Sequence, residues 1–170
     1  MSAQRARGLL APVCHRHVVL TIPRLLSPLL RRRRELLTEL GRAAAEAVTE
    51  LVRRDLGDEA RPGVVVPIVT AGDLVQWHPQ VLLLTTDGGR TADGSWQPLA
   101  EWSATLLMSL LRERLLTRLI EAHAISPELV KKLLAWRHPG LCAFAGSRRR
   151  WEETGPPVAS GAWSTLYRIE

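Results

Sequence analysis

Arg31, Arg32, Arg33 and Arg34 form an uninterrupted run, and a guanidinium pairs readily with the oxygens of a phosphate. Four successive residues spread over about 300° of a helix, so the run divides between a phosphate-binding patch and a solvated helix face. The second place with chemical promise is Trp77-His78-Pro79-Gln80. Trp77, read as loop, is the tryptophan placed to stack on an unpaired base. His78 and Gln80 share a face if the chain is extended there, because side chains alternate along a strand. They form a degenerate candidate pair for a divalent metal; a loop histidine beside an ordinary strand glutamine is the alternative. Cys14, His15 and His17 cluster in sequence, yet neighbouring residues of an extended chain point apart, so packing or solvent exposure is expected. His138 reads as a surface turn residue, and Asp73 and Asp87 as turn formers. Trp102 and Trp136 lie at helix ends, where core packing accounts for them.

Positioning these residues requires a folded domain, and the composition supplies one. The 170 residues are 46% hydrophobic and 24% charged, which fits a single soluble domain and excludes a disordered chain. Lys and Arg number 23 against 17 Asp and Glu, a net charge of +6. The surplus lies in residues 1–62, which hold 12 basic and 7 acidic side chains. Two cysteines far apart, without CxxC spacing, exclude a disulfide framework and a zinc knuckle. No apolar run reaches the roughly 18 residues of a membrane span, and the N-terminal apolar stretch is too short for a secretory signal. The expectation is a cytoplasmic protein with no membrane partner.

Along the chain, residues 1–15 are an irregular basic lead-in. RHVVLTI, stopped by Pro23, reads as a strand. Ser27-Pro28 opens one long helix, with Leu36, Leu40, Ala44, Val48 and Leu51 at helical steps and Gly57 as its stop. The arginine run falls in its opening turns, where cations oppose the helix dipole. VVVPIVT (64–70) and QVLLLTT (80–86) read as an antiparallel pair, with Pro67 at an edge or bulge. Asp87-Gly88-Gly89 and Asp93-Gly94 are turns. A second long helix begins near Glu101, a short one follows Ser126-Pro127, and LCAFA (141–145) is a last strand. This order predicts an α+β domain over 16–146, with a mainly antiparallel sheet and helices packed on one side. Residues 147–170 have no period and read as a disordered or out-of-frame tail.

Three stretches, CHRHVVLTIPRLL (14–26), TAGDLVQWHPQVLLLTTDGG (70–89) and LLAWRHPGLCAF (133–144), together resemble the catalytic region of the rolling-circle transposases of the two-tyrosine HUH class, which bacterial insertion sequences encode. The resemblance covers roughly residues 12–146. It implies an incomplete HUH-nuclease-like core. Intact members nick and rejoin single-stranded DNA with a tyrosine nucleophile and a divalent metal, Mg or Mn, held by a His-Pro-His-hydrophobic-His strand. This sequence has His78-Pro79-Gln80-Val81-Leu82, so the two ligand positions have become Gln80 and Leu82. The helix with the paired tyrosines has no counterpart, and Tyr167, in WSTLYRIE, does not match it. Of the upstream cysteine-rich zinc module only Cys14 remains.

The resemblance therefore implies a truncated transposase-family chain of a mobile element, related to DNA transposition and recombination enzymes. It is expected to lack catalytic residues and a resident cofactor, and to keep DNA binding through Arg31, Arg32, Arg33, Arg34 and Trp77. Its expected partners are single-stranded DNA, a second copy, or an intact transposase. Two rivals stay open: a non-catalytic basic DNA-binding or interaction module, and an inert gene remnant.

Overall fold

The computed structural model describes residues 12–71, 77–135 and 142–149. The lead-in through residue 11, Asp73, Trp136, His138 and the segment 150–170 with Tyr167 lie outside the described residues. Strand β1 (His15–Thr21) is followed by a short 3-10 turn at Arg24–Leu26 and by helices α1 (Ser27–Arg32) and α2 (Leu36–Leu56). Strands β2 (Val64–Val65), β3 (Ile68–Ala71), β4 (Trp77–Thr86), β5 (Gly88–Arg90) and β6 (Trp96–Pro98) come next. Helices α3 (Ala104–Glu121) and α4 (Pro127–Ala135) and strand β7 (Cys142–Ala145) complete the order.

The β-branched run of β1 places it at the centre of the sheet. It pairs antiparallel with β4 on one side, Leu20 opposite Val81, and with β7 on the other, Leu20 opposite Ala143. β2 and β3 both pair antiparallel with the outer side of β4. Pro67, which has no N–H for a ladder, sits between them, and its carbonyl accepts from the Leu82 N–H at 3.0 Å. The two short strands are thus one edge interrupted at the proline, as the sequence predicts. The architecture is a mixed α+β fold built on an antiparallel sheet.

Alternation decides which sheet face is buried. Val18 and Leu20 of β1 and Val81 and Leu83 of β4 join one core cluster with Leu40, Ala44, Val48 and Leu51 of α2 and Leu107, Leu111, Leu115 and Leu119 of α3. Both helices carry these residues at three- and four-residue steps, so each turns one apolar stripe inward. Fully burying a leucine is worth about 1.5–3 kcal/mol, and this layer is where most of the stability resides. Ions close the α2–α3 seam at its rim: Arg118 bonds Glu39 at 2.6 Å and also Glu46, while Arg42 pairs with Glu39 at 2.8 Å. The Arg118 bond holds the Glu46 carboxyl below its usual range.

The long helix expected over 27–57 is two helices. The backbone leaves helical geometry at Arg33 (φ −117°, ψ 78°) and resumes at Leu36. Arg33 stabilises the break by bonding Glu35 at 2.9 Å and reaching the carbonyls of Ala122 and His123, each at 3.4 Å, at the C-terminal end of α3. Those carbonyls lack helical partners, and a cation is favoured there. The break also moves Arg31 and Arg32 from helix-opening positions to the last turn of α1, where the dipole favours them. α3 starts later than expected, at Ala104, because the Ser103 hydroxyl caps it by accepting from the Leu106 N–H at 3.2 Å.

The turn read at Asp87-Gly88-Gly89 opens a two-stranded ribbon, β5 paired with β6. A Cβ on Gly88 would lie 2.1 Å from the Gln97 carbonyl oxygen, and one on Gly89 would lie 2.7 Å from Val52 Cγ1. Close backbone approach therefore explains Gly88, and close packing of the Val52 side chain explains Gly89.

Candidate nucleic-acid interface

Trp77 is the first residue of β4, paired with Ala71, and not part of a loop. The strand extends further than QVLLLTT because Trp77 is anchored: its indole N–H donates to the Ser27 carbonyl at 2.9 Å. That bond brings the start of α1 onto the start of β4. Across the ring lies Arg34, its guanidinium carbon 5.2 Å from the ring centroid, a cation–π contact. Arg31, Arg32 and Arg34 are exposed, whereas Arg33 is half-buried in its bonds to Glu35 and the end of α3. Of the sequence-predicted arginines, Arg34 thus meets Trp77, some forty positions away, while Arg31 and Arg32 stand exposed in the last turn of α1.

His78 and Gln80 follow on the face of β4 opposite to Val81 and Leu83. His78 is exposed; Gln80 is half-buried, beside Thr21 and Val69, and its Oε1 has no hydrogen-bond partner among the described residues. The next residue on that face, Leu82, pairs with Val19, which in turn pairs with Phe144. An apolar cross-strand row thus occupies the face beyond Gln80. One imidazole and one amide oxygen do not make a divalent-metal site, and leucine has no lone pair to add. Among the described residues no three His, Cys, Asp or Glu side chains gather to hold a metal.

His15 and His17 share a face of β1, away from the core residues Val18 and Leu20. Burial lowers the His15 pKa, offset in part by a backbone hydrogen bond at Val13. Burial also lowers the His17 pKa, followed by the charges of Arg149 and His15. Both are therefore favoured neutral in the fold. Acid stability has a definite sign: the unfolded chain takes up protons below pH 6.5 while the folded chain resists, so stability falls as pH drops from that value toward the folded pKa values. Urea midpoints measured from about pH 7.5 to 5.5 should decline, and His17→Gln should flatten the decline. A midpoint independent of pH across that window would contradict this placement. Cys14 and Cys142 are free thiols.

One charged centre has no precedent in the sequence reading. Asp87 is 1% exposed. Its Oδ1 accepts from Arg16 Nε at 2.9 Å, and its other oxygen is bound by Arg148. Arg16 also donates to the Gly146 carbonyl at 2.6 Å and lies 5.3 Å from the Trp102 ring centroid. Beyond β7 the chain stays beside β1, with Arg149 and His15 exchanging two backbone bonds of 2.9 Å. Asp87 therefore joins β1, the β4–β5 turn and residues 146–148. Its partners lie 71 and 61 positions away, and no local spacing signals them.

The fold and this corner define a small α+β domain with exposed arginines, one of them over an aromatic ring, and with no metal-holding cluster among its described residues. The chain is 33% identical over 132 residues to the transposase for insertion sequence element IS801 of Pseudomonas savastanoi pv. phaseolicola. The matched region is 75% of this chain and 32% of that protein, so the chain spans about a third of the length of the relative. This similarity supports a relationship to the transposases of insertion sequences. No protein-family model matches the chain, and no solved structure matches it. No helix among the described residues is long and apolar enough to cross a membrane.

Proposed function

We propose that this chain is a transposase-related domain of the rolling-circle HUH type that binds single-stranded DNA and does not cleave it. One observation carries the binding: exposed Arg34 lies over the Trp77 ring, with exposed Arg31 and Arg32 just before it in sequence, giving phosphate-pairing groups near a stacking ring. The similarity to a transposase supports the choice of DNA as the polyanion. Two residues carry the loss of cleavage. Gln80 and Leu82 replace the imidazoles of the HUH strand, and Leu82 is built into an apolar row with Val19 and Phe144. Binding without cleavage would let the chain occupy the DNA of an intact transposase.

Each phosphate neutralised on a single strand contributes about −0.7 to the slope of log affinity against log salt. Three exposed arginines give a slope of about −2, or about a 20-fold loss of affinity between 50 and 200 mM salt. Fluorescence anisotropy with a labelled single-stranded oligonucleotide measures this. The variant carrying Arg31→Gln, Arg32→Gln and Arg34→Gln should bind weakly and lose most of the slope. A folded, monodisperse wild-type protein that fails to bind at about 50 mM salt would refute the reading.

A further inference from the structure

Arg34 and Arg33 are neighbours with opposite situations. Arg33 is held by a carboxylate and by the carbonyls of Ala122 and His123. Arg34 is exposed, and among the described residues its guanidinium touches only the face of Trp77. The ring, by contrast, is fixed. Its N–H is bonded to Ser27, and the residue is paired in the sheet. A rigid aromatic platform is therefore covered by a side chain that nothing else retains.

We infer that Arg34 is an exchangeable cover: an unpaired base displaces it from the Trp77 ring, and the released guanidinium moves to a phosphate of the same strand. The inference rests on the DNA-binding reading above and adds how that corner distinguishes single strands from duplex. Magnitudes favour the exchange. An exposed cation–π contact is worth about a two- to fivefold factor in an equilibrium. Base stacking on an aromatic side chain is worth about 5- to 150-fold per base. The base wins the ring, and Arg34 gains a phosphate contact it lacked. Duplex DNA presents no free base face, so it leaves Arg34 in place and gains only the contacts of Arg31 and Arg32.

The exchange makes Arg34 both competitor and contact, which gives its removal an unusual salt signature. Arg34→Gln should bind a single-stranded oligonucleotide more weakly than wild type at about 50 mM salt, where phosphate contacts count. At high salt it should bind equally or up to about fivefold more tightly, because the ring is already vacant. The two salt curves cross. Trp77→Leu should lose about 5- to 150-fold in single-strand affinity and keep the single-strand salt slope, while binding duplex at least as tightly as wild type because Arg34 is no longer held on a ring. Trp77→Phe, which preserves a ring in the fold, should bind with little loss but without the tryptophan fluorescence quenching expected when wild type binds.

Arg34→Gln weaker at every salt concentration would overturn the exchange while leaving DNA binding intact. So would unchanged single-strand affinity in a folded Trp77→Leu variant, or undiminished quenching in Trp77→Phe. Absence of wild-type binding to either form of DNA would overturn the underlying reading together with the exchange.

Discussion

Asp87→Ala is expected to destabilise the protein by about 3–5 kcal/mol, because it removes the carboxylate from a buried ion pair and leaves a cation behind. The aspartate is 1% exposed, and the Arg16 side chain is only 15% exposed. Without Asp87, the Arg16 guanidinium keeps the Gly146 carbonyl and the Trp102 face, but neither neutralises it. Three segments that Asp87 ties together also lose their common anchor. Chemical denaturation followed by circular dichroism measures the effect. Arg148→Gln provides the contrast: its side chain is 50% exposed, and an ion pair open to water is worth about 0–1 kcal/mol. Equal losses in the two variants would show that Asp87 does not act as a buried hub.

Leu20→Ala should cost about 2–5 kcal/mol. Leu20 is 0% exposed in the central strand, between Val81 on β4 and Ala143 on β7. Its side chain belongs to the layer shared with α2 and α3. Truncation removes transfer free energy and leaves a cavity between rigid elements that cannot collapse fully. Leu25, 44% exposed in the turn after β1, should change stability by no more than about 0.5 kcal/mol when replaced by alanine. Urea unfolding of both variants checks the contrast, and a Leu20→Ala loss as small as that of Leu25→Ala would contradict the assigned core.

Local signals carried much of this fold into the sequence. The strands at 15–21 and 77–86 are apolar and β-branched, and Pro67 marks an edge or a bulge because it has no N–H to give a ladder. The apolar stripes of α2 and α3 follow directly from helical spacing. What the sequence conceals depends on distant partners. The break between α1 and α2 follows from Arg33 reaching the end of α3, some ninety positions away. Trp77 looks like loop because its anchor, the Ser27 carbonyl, lies 50 positions earlier. Asp87-Gly88-Gly89 displays its turn chemistry but neither the arginines bound to the aspartate nor the backbone pressed against Gly88. At the candidate site the residue types were legible and the contact of Arg34 with Trp77 was not. Four adjacent arginines say nothing of which one lies on a tryptophan.

The place of β1 bears on how the protein comes into being. The first strand among the described residues lies inside the sheet, flanked by β4 and β7, and Arg16 finds its partners 71 and 130 positions later, at Asp87 and Gly146. Synthesis proceeds at about 5–20 residues per second, so β1 waits about 7–26 s after it is made for the last of these partners. Closing such distant strand pairs takes only milliseconds to seconds once all the pieces exist. Translation speed, rather than the conformational search, therefore sets when the sheet is completed. Until then Val18, Val19 and Leu20 lie on a nascent strand with an open edge, the kind of segment that holdase chaperones shield.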